Sequence, residues 1–264
     1  MSPRGRLRGE IVPVDALASA ETSALYELYR SHYDAVEPVR FEEDLREKDH
    51  VLLLLDSTSG EVRGFSTQKV FRATDSAGEP VRVLFSGDTI IAPEYWGEQE
   101  LVRTWCRYAG RALSEDPGTP LYWLLISKGH RTYLYLPLFF EKHWPRYDEP
   151  TPPYEAGLLA RVARARFGES FDESAGLLRF PESLGQLKPG LAAIPSGRIE
   201  DPRVRFFLEK NPRYSEGEEL VCLARFAPEL MRGIAARSAR EGVAEGGRPR
   251  GARATGLPAI CWTS

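Results

Sequence analysis

Apolar positions recur along the chain in two rhythms, one helical and one extended. In residues 16–33, Leu17, Leu25, Leu28, Tyr29 and His32 fall near one face of a 3.6-residue turn. This predicts a helix with Asp15 as its N-cap. Residues 41–48 read as a second, short helix. The aliphatic run 51–56 reads as a buried strand. The turn Ser57-Thr58-Ser59-Gly60 links it to a strand over 61–73, so the two form a hairpin. A further turn, Asp75-Ser76-Ala77-Gly78, leads into a third strand over 80–92, rich in Val, Ile and Phe.

The rhythm changes at Pro93. Residues 97–114 return to helical spacing, with Leu101, Trp105, Tyr108 and Leu113 as core positions, and Pro117-Gly118 ends the run. The stretch 121–127, LYWLLIS, is apolar on both faces and belongs at the centre of a sheet. A helical rhythm resumes over 130–143, interrupted at Pro137. Residues 145–153 carry four prolines and read as loop, 154–167 as a helix, 181–202 as irregular, 204–209 as a short helix and 219–226 as a last strand. Antiparallel strands therefore lead and a β-α-β-α unit follows. The fold class is α/β of the mixed, α+β kind: a mostly antiparallel, twisted sheet with helices on both faces. Residues 1–227 form one domain, with an insertion at about 150–202 that could serve as a lid or extend an acceptor site. Residues 228–264 read as a basic, mostly disordered tail with an apolar end at 260–262.

Composition alters this picture little. The 264 residues are 42% hydrophobic and 28% charged, ordinary for a globular chain. The net charge of -3 implies no partner by itself. From Pro228 onward six Arg stand against three Glu, a surplus of +3 that leaves -6 on the body. No interleaving of aromatic and basic residues accompanies the tail, so a solvated extension is favoured over a nucleic-acid arm. Cys106, Cys222 and Cys261 are far apart and form no metal-binding motif or disulfide framework. Free thiols suit a reducing cytoplasm, and neither a secretory leader nor a membrane span is evident. No GxSxG elbow supports a serine hydrolase.

The order of elements, and the stretch Ile91-Ala92-Pro93-Glu94-Tyr95-Trp96-Gly97, resemble the GNAT acyltransferase superfamily. In that family a strand runs into a turn rich in backbone N–H groups, and a helix follows. The free amides and the helix dipole hold the diphosphate of an acyl-CoA. The resemblance implies Ile91, Ala92, Trp96, Gly97, Glu98 and Gln99 as the turn that meets the donor, with Lys128 as a further contact. Trp96 stands where the family usually has Arg or Lys, and Gln99 where it usually has Gly or Ala. Glu94, Glu98 and Glu100 set negative charge beside the phosphates, against which Arg103 and Lys128 could compensate. Phe140-Glu141-Lys142-His143-Trp144 is similar to the family's Tyr-Glu-Lys-Leu-Gly-Phe segment, whose Tyr often protonates the departing thiolate. Phe140 lacks the hydroxyl, so Tyr133 or Tyr135 would supply it. The implied activity moves an acyl group from acyl-CoA, acetyl-CoA or an acyl carrier protein to an amine of a small molecule or peptide. No metal enters it.

The residues themselves offer three candidate groups. Asp88 interrupts the apolar strand at Phe85-Ser86-Gly87-Asp88-Thr89. A carboxyl buried there would have a raised pKa and could act as a base; alternatively it caps a β-bulge at Gly87. Lys128-Gly129-His130-Arg131 follows the central strand, where ligand loops commonly sit, and His130 is the imidazole beside the expected cleft. His32, His50 and His143 read as ordinary surface or helix-face residues. Ser86 and Thr89 either contact a substrate or satisfy the backbone, and Cys106, without an adjacent base, reads as core. A second reading stays open: a non-catalytic module on the same fold that binds a ligand or a partner protein.

Overall fold

The computed structural model describes residues 6–180 and 186–247. Its elements are β1 (Leu7–Pro13), α1 (Ser19–His32), β2 (Tyr33–Asp34), α2 (Pro38–Arg46), β3 (His50–Asp56), β4 (Val62–Thr74), β5 (Pro80–Ile91), α3 (Glu100–Glu115), β6 (Leu121–Ser127), α4 (His130–Tyr133) and α5 (Tyr135–Phe139). There follow α6 (Pro153–Phe167), β7 (Phe171–Asp172), β8 (Leu177–Leu178), β9 (Gln186–Leu187), α7 (Pro189–Ala192), α8 (Ser196–Ile199), α9 (Pro202–Lys210), β10 (Glu219–Arg225) and α10 (Gly233–Gly246). Eight strands form one sheet in the order β1-β3-β4-β5-β6-β10-β8-β7, and β2 and β9 pair separately. Every pairing in the large sheet is antiparallel except β5 with β6, which run parallel.

Both faces are covered, as the uninterrupted burial of Val51, Leu52, Leu53 and Leu54 in β3 requires. On one face Leu25 of α1 with Phe41 and Leu45 of α2 cover β3 and β4, and Leu158 and Val162 of α6 cover β5, β6 and β10. On the other, Trp105, Tyr108, Ala109 and Ala112 of α3 pack on Leu84, Leu121 and Trp123, with α10 outside them. The mixed, mostly antiparallel sheet between helices is the expected architecture.

Three expectations need correction. The chain opens with strand β1, where its charge pointed to no element. The alternation Leu7, Gly9, Ile11 is enough because β3 offers an open edge, registered from Leu7↔Asp56 to Pro13↔His50. Asp15 is not an N-cap: it lies in a short 3-10 turn, and α1 starts four residues later at Ser19. The expected basic, disordered tail from 228 does not describe residues 228–247. Residues 233–246 form α10, whose Ala235, Ala236 and Ala239 are buried against α3. Glycines let the two helices touch: a Cβ on Gly242 would lie 2.1 Å from the Arg107 carbonyl oxygen, and one on Gly110 2.3 Å from that of Ala239. Glu245 joins the Arg107 and Arg111 guanidinium groups across the contact at 2.6 Å each. Cys261 and the apolar end at 260–262 lie outside the described residues.

The stretch 150–202 is built into the sheet. Strand β8 pairs with β10 and β7 with β8, and α6 supplies core. The helix expected over 130–143 divides into α4 and α5, ending at Phe139, with Pro137 inside the second.

Candidate active site

The parallel pair β5–β6 separates part-way. Partners run from Arg82↔Leu121 to Ser86↔Leu125, and β5 then continues to Ile91 alongside β4 alone. The parting coincides with a bulge. Gln68 faces Ser86 and Ser66 faces Thr89, so Thr67 stands opposite both Gly87 and Asp88. Residue 87 must be small, because a Cβ there would lie 2.5 Å from Thr67 Oγ1 and 3.0 Å from Lys48 Cε. The extra residue shifts the alternation. Ser86 and Thr89 bond on the α3 face, to Gln68 and Ser66 respectively. Asp88 instead lines a cavity of about 440 Å³ on the other face, with Tyr29, Tyr33, Lys48, Phe85, Lys128 and Glu219. The bulge is present, as one reading of the sequence held, but Asp88 does not cap it: the carboxyl makes no hydrogen bond among the described residues.

Its surroundings fix its chemistry. Removal from water is the largest influence on Asp88, and with the nearby Asp44 it outweighs Lys128 and Lys48, leaving the carboxyl at about 7. Lys48 is fully buried and reaches Asp44 Oδ1 at 2.6 Å; Lys128 reaches Glu219 Oε1 at 3.5 Å and lies over the Tyr33 ring at 5.2 Å. Burial pushes Glu219 up as well, against the pull of Lys128. Burial, and then Asp88, push the Tyr29 and Tyr33 phenols far up, so both keep their protons at neutral pH. Three carboxyl groups thus share two ammonium groups, and Asp88 is the one with no ion pair or hydrogen bond among the described residues.

The other expected residues divide. His130 lines the cavity, and burial, then Arg131 and Arg198, hold its imidazole down at about 4, so it is neutral at pH 7. Tyr135 is half-buried on the cavity wall, its phenol pushed up to about 12 by burial. Tyr133 is a correction: it points away, fully buried against Phe206 and Phe207, and donates to the Pro145 carbonyl at 3.2 Å. Two positions separate these tyrosines, and the break between α4 and α5 sends them to opposite sides. Lys128 belongs to the inner charge cluster and not to the Pro93–Gly97 turn.

That turn holds fewer free amides than expected. Tyr95 N–H donates to the Ala92 carbonyl at 2.9 Å, Trp96 N–H to Pro93 at 3.2 Å and Glu98 N–H to Tyr95 at 3.1 Å. Ala92 is buried and donates to Arg63, so it too offers no amide. Gly97, at φ +96°, and Gln99, which caps α3, keep N–H groups with no bond among the described residues. Glu98 and Glu100 do not face a ligand; their carboxylates accept from the Leu7 and Gly9 amides of β1 at 3.0 and 3.1 Å. Ile91 lines the cavity and its carbonyl accepts Trp96 Nε1–H at 2.8 Å, while the Arg131 guanidinium covers the Trp96 ring at 4.2 Å. Arg131 thus puts positive charge beside the turn, with Arg198 near enough to act on it, where Arg103 and Lys128 had been expected to.

Several contributors escaped the sequence reading. Lys48, Asp44 and Glu219 come from elements distant in sequence, and only the rarity of a lysine after an apolar helix face hinted at one of them. His32 is buried, lines the cavity and approaches the Ile91 carbonyl at 3.2 Å through Nε2, so it is not a surface residue. His143 is also buried, and burial first, then Arg146, hold it down at about 4. Leu187 and Leu191 of the 150–202 stretch complete the cavity wall, held by the β2–β9 pair and by Arg131 donating to the Leu191 carbonyl at 2.9 Å.

Neither a family model nor a curated protein sequence matches the chain. Solved structures are similar to it in fold. A GNAT-family N-acetyltransferase of Escherichia coli in complex with CoA is 19% identical at TM-score 0.33, over 48% of this chain and 66% of that one. A probable N-acyltransferase of Enterococcus faecalis is 15% identical at TM-score 0.37, over 53% and 37%. NAA60 of Arabidopsis thaliana in complex with a bisubstrate analogue is 15% identical at TM-score 0.36, over 53% and 88%. The chain therefore spans less than two thirds of the first two. Its own sheet, mostly antiparallel with one parallel pair and helices on both faces, is the arrangement the sequence resemblance implied.

The architecture is consistent with a GNAT fold.

Within this sheet the cavity sits at the fork of β5 and β6, with Asp88 on its wall. No helix among the described residues is long and apolar enough to cross a membrane, and no group of His, Cys, Asp or Glu among them could hold a metal ion.

Proposed function

We propose that the cavity at the fork is the reaction site of an N-acyltransferase that moves an acyl group from a CoA or carrier-protein thioester to an amine. One observation carries the reading: a bulge turns Asp88 into the cavity with a carboxyl near pKa 7 and no hydrogen bond among the described residues. A base poised near the working pH is what proton removal from an ammonium group requires. Ionised Asp88 takes a proton from the amine, whose nitrogen then bonds to the thioester carbon. As the carbon–sulfur bond breaks, Tyr135 gives its proton to the leaving thiolate and the nitrogen releases its second proton to solvent; solvent then reprotonates Tyr135 and takes the proton from Asp88. The neutral amide and the thiol leave together. His130, neutral at pH 7, orients substrate and takes no part in proton removal.

Arg131, Arg198 and the Gly97 and Gln99 amides are the groups suited to the donor's phosphates. Because Tyr95, Trp96 and Glu98 spend their amides inside the turn, this contact leans on the guanidinium groups more than on the backbone. The same feature favours a second reading, a GNAT-like module that binds an amine or a partner without catalysis. Calorimetric titration with acetyl-CoA, followed by thiol release in the presence of tyramine, spermidine and an alanine-started peptide, separates the two. Binding with thiol release supports the transferase. An amine that binds while no thioester does supports the module.

A further inference from the structure

Behind the fork, on the α3 face of the sheet, lies a second and smaller hollow of about 40 Å³. Leu101, Val102 and Cys106 of α3, Leu125 of β6 and Phe139 and Phe140 enclose it. The polar atoms along its edge are already engaged. Ser66 and Thr89 bond to each other at 2.7 Å, and Ser86 Oγ donates to Gln68 at 2.8 Å while accepting Nε1–H from Trp105 and Trp123 at 3.0 Å each. The surface it exposes is almost wholly apolar, so the hollow is of the dry kind. Thr89, Thr132 and Tyr135 line both this hollow and the large cavity, so these three side chains are their common wall.

We propose that this hollow receives the acyl substituent of the donor and restricts it to a short chain; the proposal rests on the acyl-transfer reading above. The amine lies beside Asp88, and the thiol side of the donor leaves past Tyr135 toward the arginines. The carbon tail of the acyl group must then leave the junction in a third direction. Among the described residues, the small apolar hollow that touches Tyr135 is the one under α3. Its 40 Å³ holds about three probe-sized spheres, taking roughly 10–15 Å³ for each, which fits an acyl group of about two to four carbons. An eight-carbon chain would have to displace Phe139 or Phe140.

The test is calorimetric and needs no acceptor: dissociation constants for CoA and for acetyl-, butyryl- and octanoyl-CoA, on the full chain and on Cys106→Leu and Val102→Ala. Each buried methylene should tighten binding about 4-fold, so butyryl-CoA is expected to bind some 16-fold better than acetyl-CoA, and octanoyl-CoA no better than butyryl-CoA. Cys106→Leu fills the hollow and should cancel the butyryl advantage; Val102→Ala should enlarge it. Ratios between donors on one protein are independent of its folded fraction, so a poorly folding variant still reports. Acyl-CoAs that bind with ratios unchanged in both variants, or octanoyl-CoA binding far more tightly than butyryl-CoA, overturn the inference and leave acyl transfer standing. Failure of every thioester to bind removes both.

Discussion

Replacing Asp88 with Asn should stabilise the protein above neutral pH while destroying its activity. The folded carboxyl titrates near 7, whereas an unfolded Asp titrates near its ordinary 3.8. Between these values the native state keeps a proton that the unfolded chain has lost. Stability is therefore greatest below about 4 as far as this group is concerned, and falls as pH rises to 7, by about 1.4 kcal/mol per pH unit. From pH 5 to pH 8 the wild type should lose about 3 kcal/mol that Asp88→Asn does not lose. Water in the cavity softens burial, so this is an upper figure. Urea unfolding at pH 4, 5, 6, 7 and 8 measures it: the two curves should converge near pH 4 and separate steadily up to about pH 7. Parallel curves over the whole range would show that Asp88 is not held protonated, and the argument for a tuned base would fail with them.

Other consequences follow from the same geometry. Tyr135→Phe should slow transfer by about 100-fold or more with little change in KM, since a general acid contributes on that order; Tyr133→Phe should leave the rate within 2-fold and cost about 1 kcal/mol of stability through the lost bond to Pro145. Lys128→Met strands Glu219 and removes a cation from Asp88. Unfolding should show a loss of about 3 kcal/mol, and the pH midpoint of activity should move above 7. Gly242→Leu drives a side chain into the Arg107 backbone and should lower stability by about 2–3 kcal/mol in urea unfolding; an unchanged midpoint would contradict the packing of α10 on α3.

The legible parts of the fold were those where one residue type repeats a physical demand. The leucines of β3 and the LYWLLIS run of β6 can satisfy so much apolar surface only inside a sheet. Asp88 was legible for the opposite reason, as a charge in an apolar strand. β1 and α10 were not legible because their partners make them: β1 needs the open edge of β3, and α10 needs the small surface that Gly110 and Gly242 provide. Charge near the turn misled for a similar reason. Glu98 and Glu100 look hostile to phosphate in sequence, but β1 folds back to take their carboxylates. The roles of Tyr133 and Tyr135 turned on a break between two short helices that Pro137 only hinted at.

The pH dependence of acetyl transfer from acetyl-CoA to a primary amine tests the central claim most directly. The rate should rise about tenfold per unit below neutrality and level off with a midpoint near 7, and Asp88→Asn should lose at least 100-fold and the inflection with it. Transfer that is absent, or that keeps the same inflection without the carboxyl, would contradict the assignment of the fork as an acyl-transfer site.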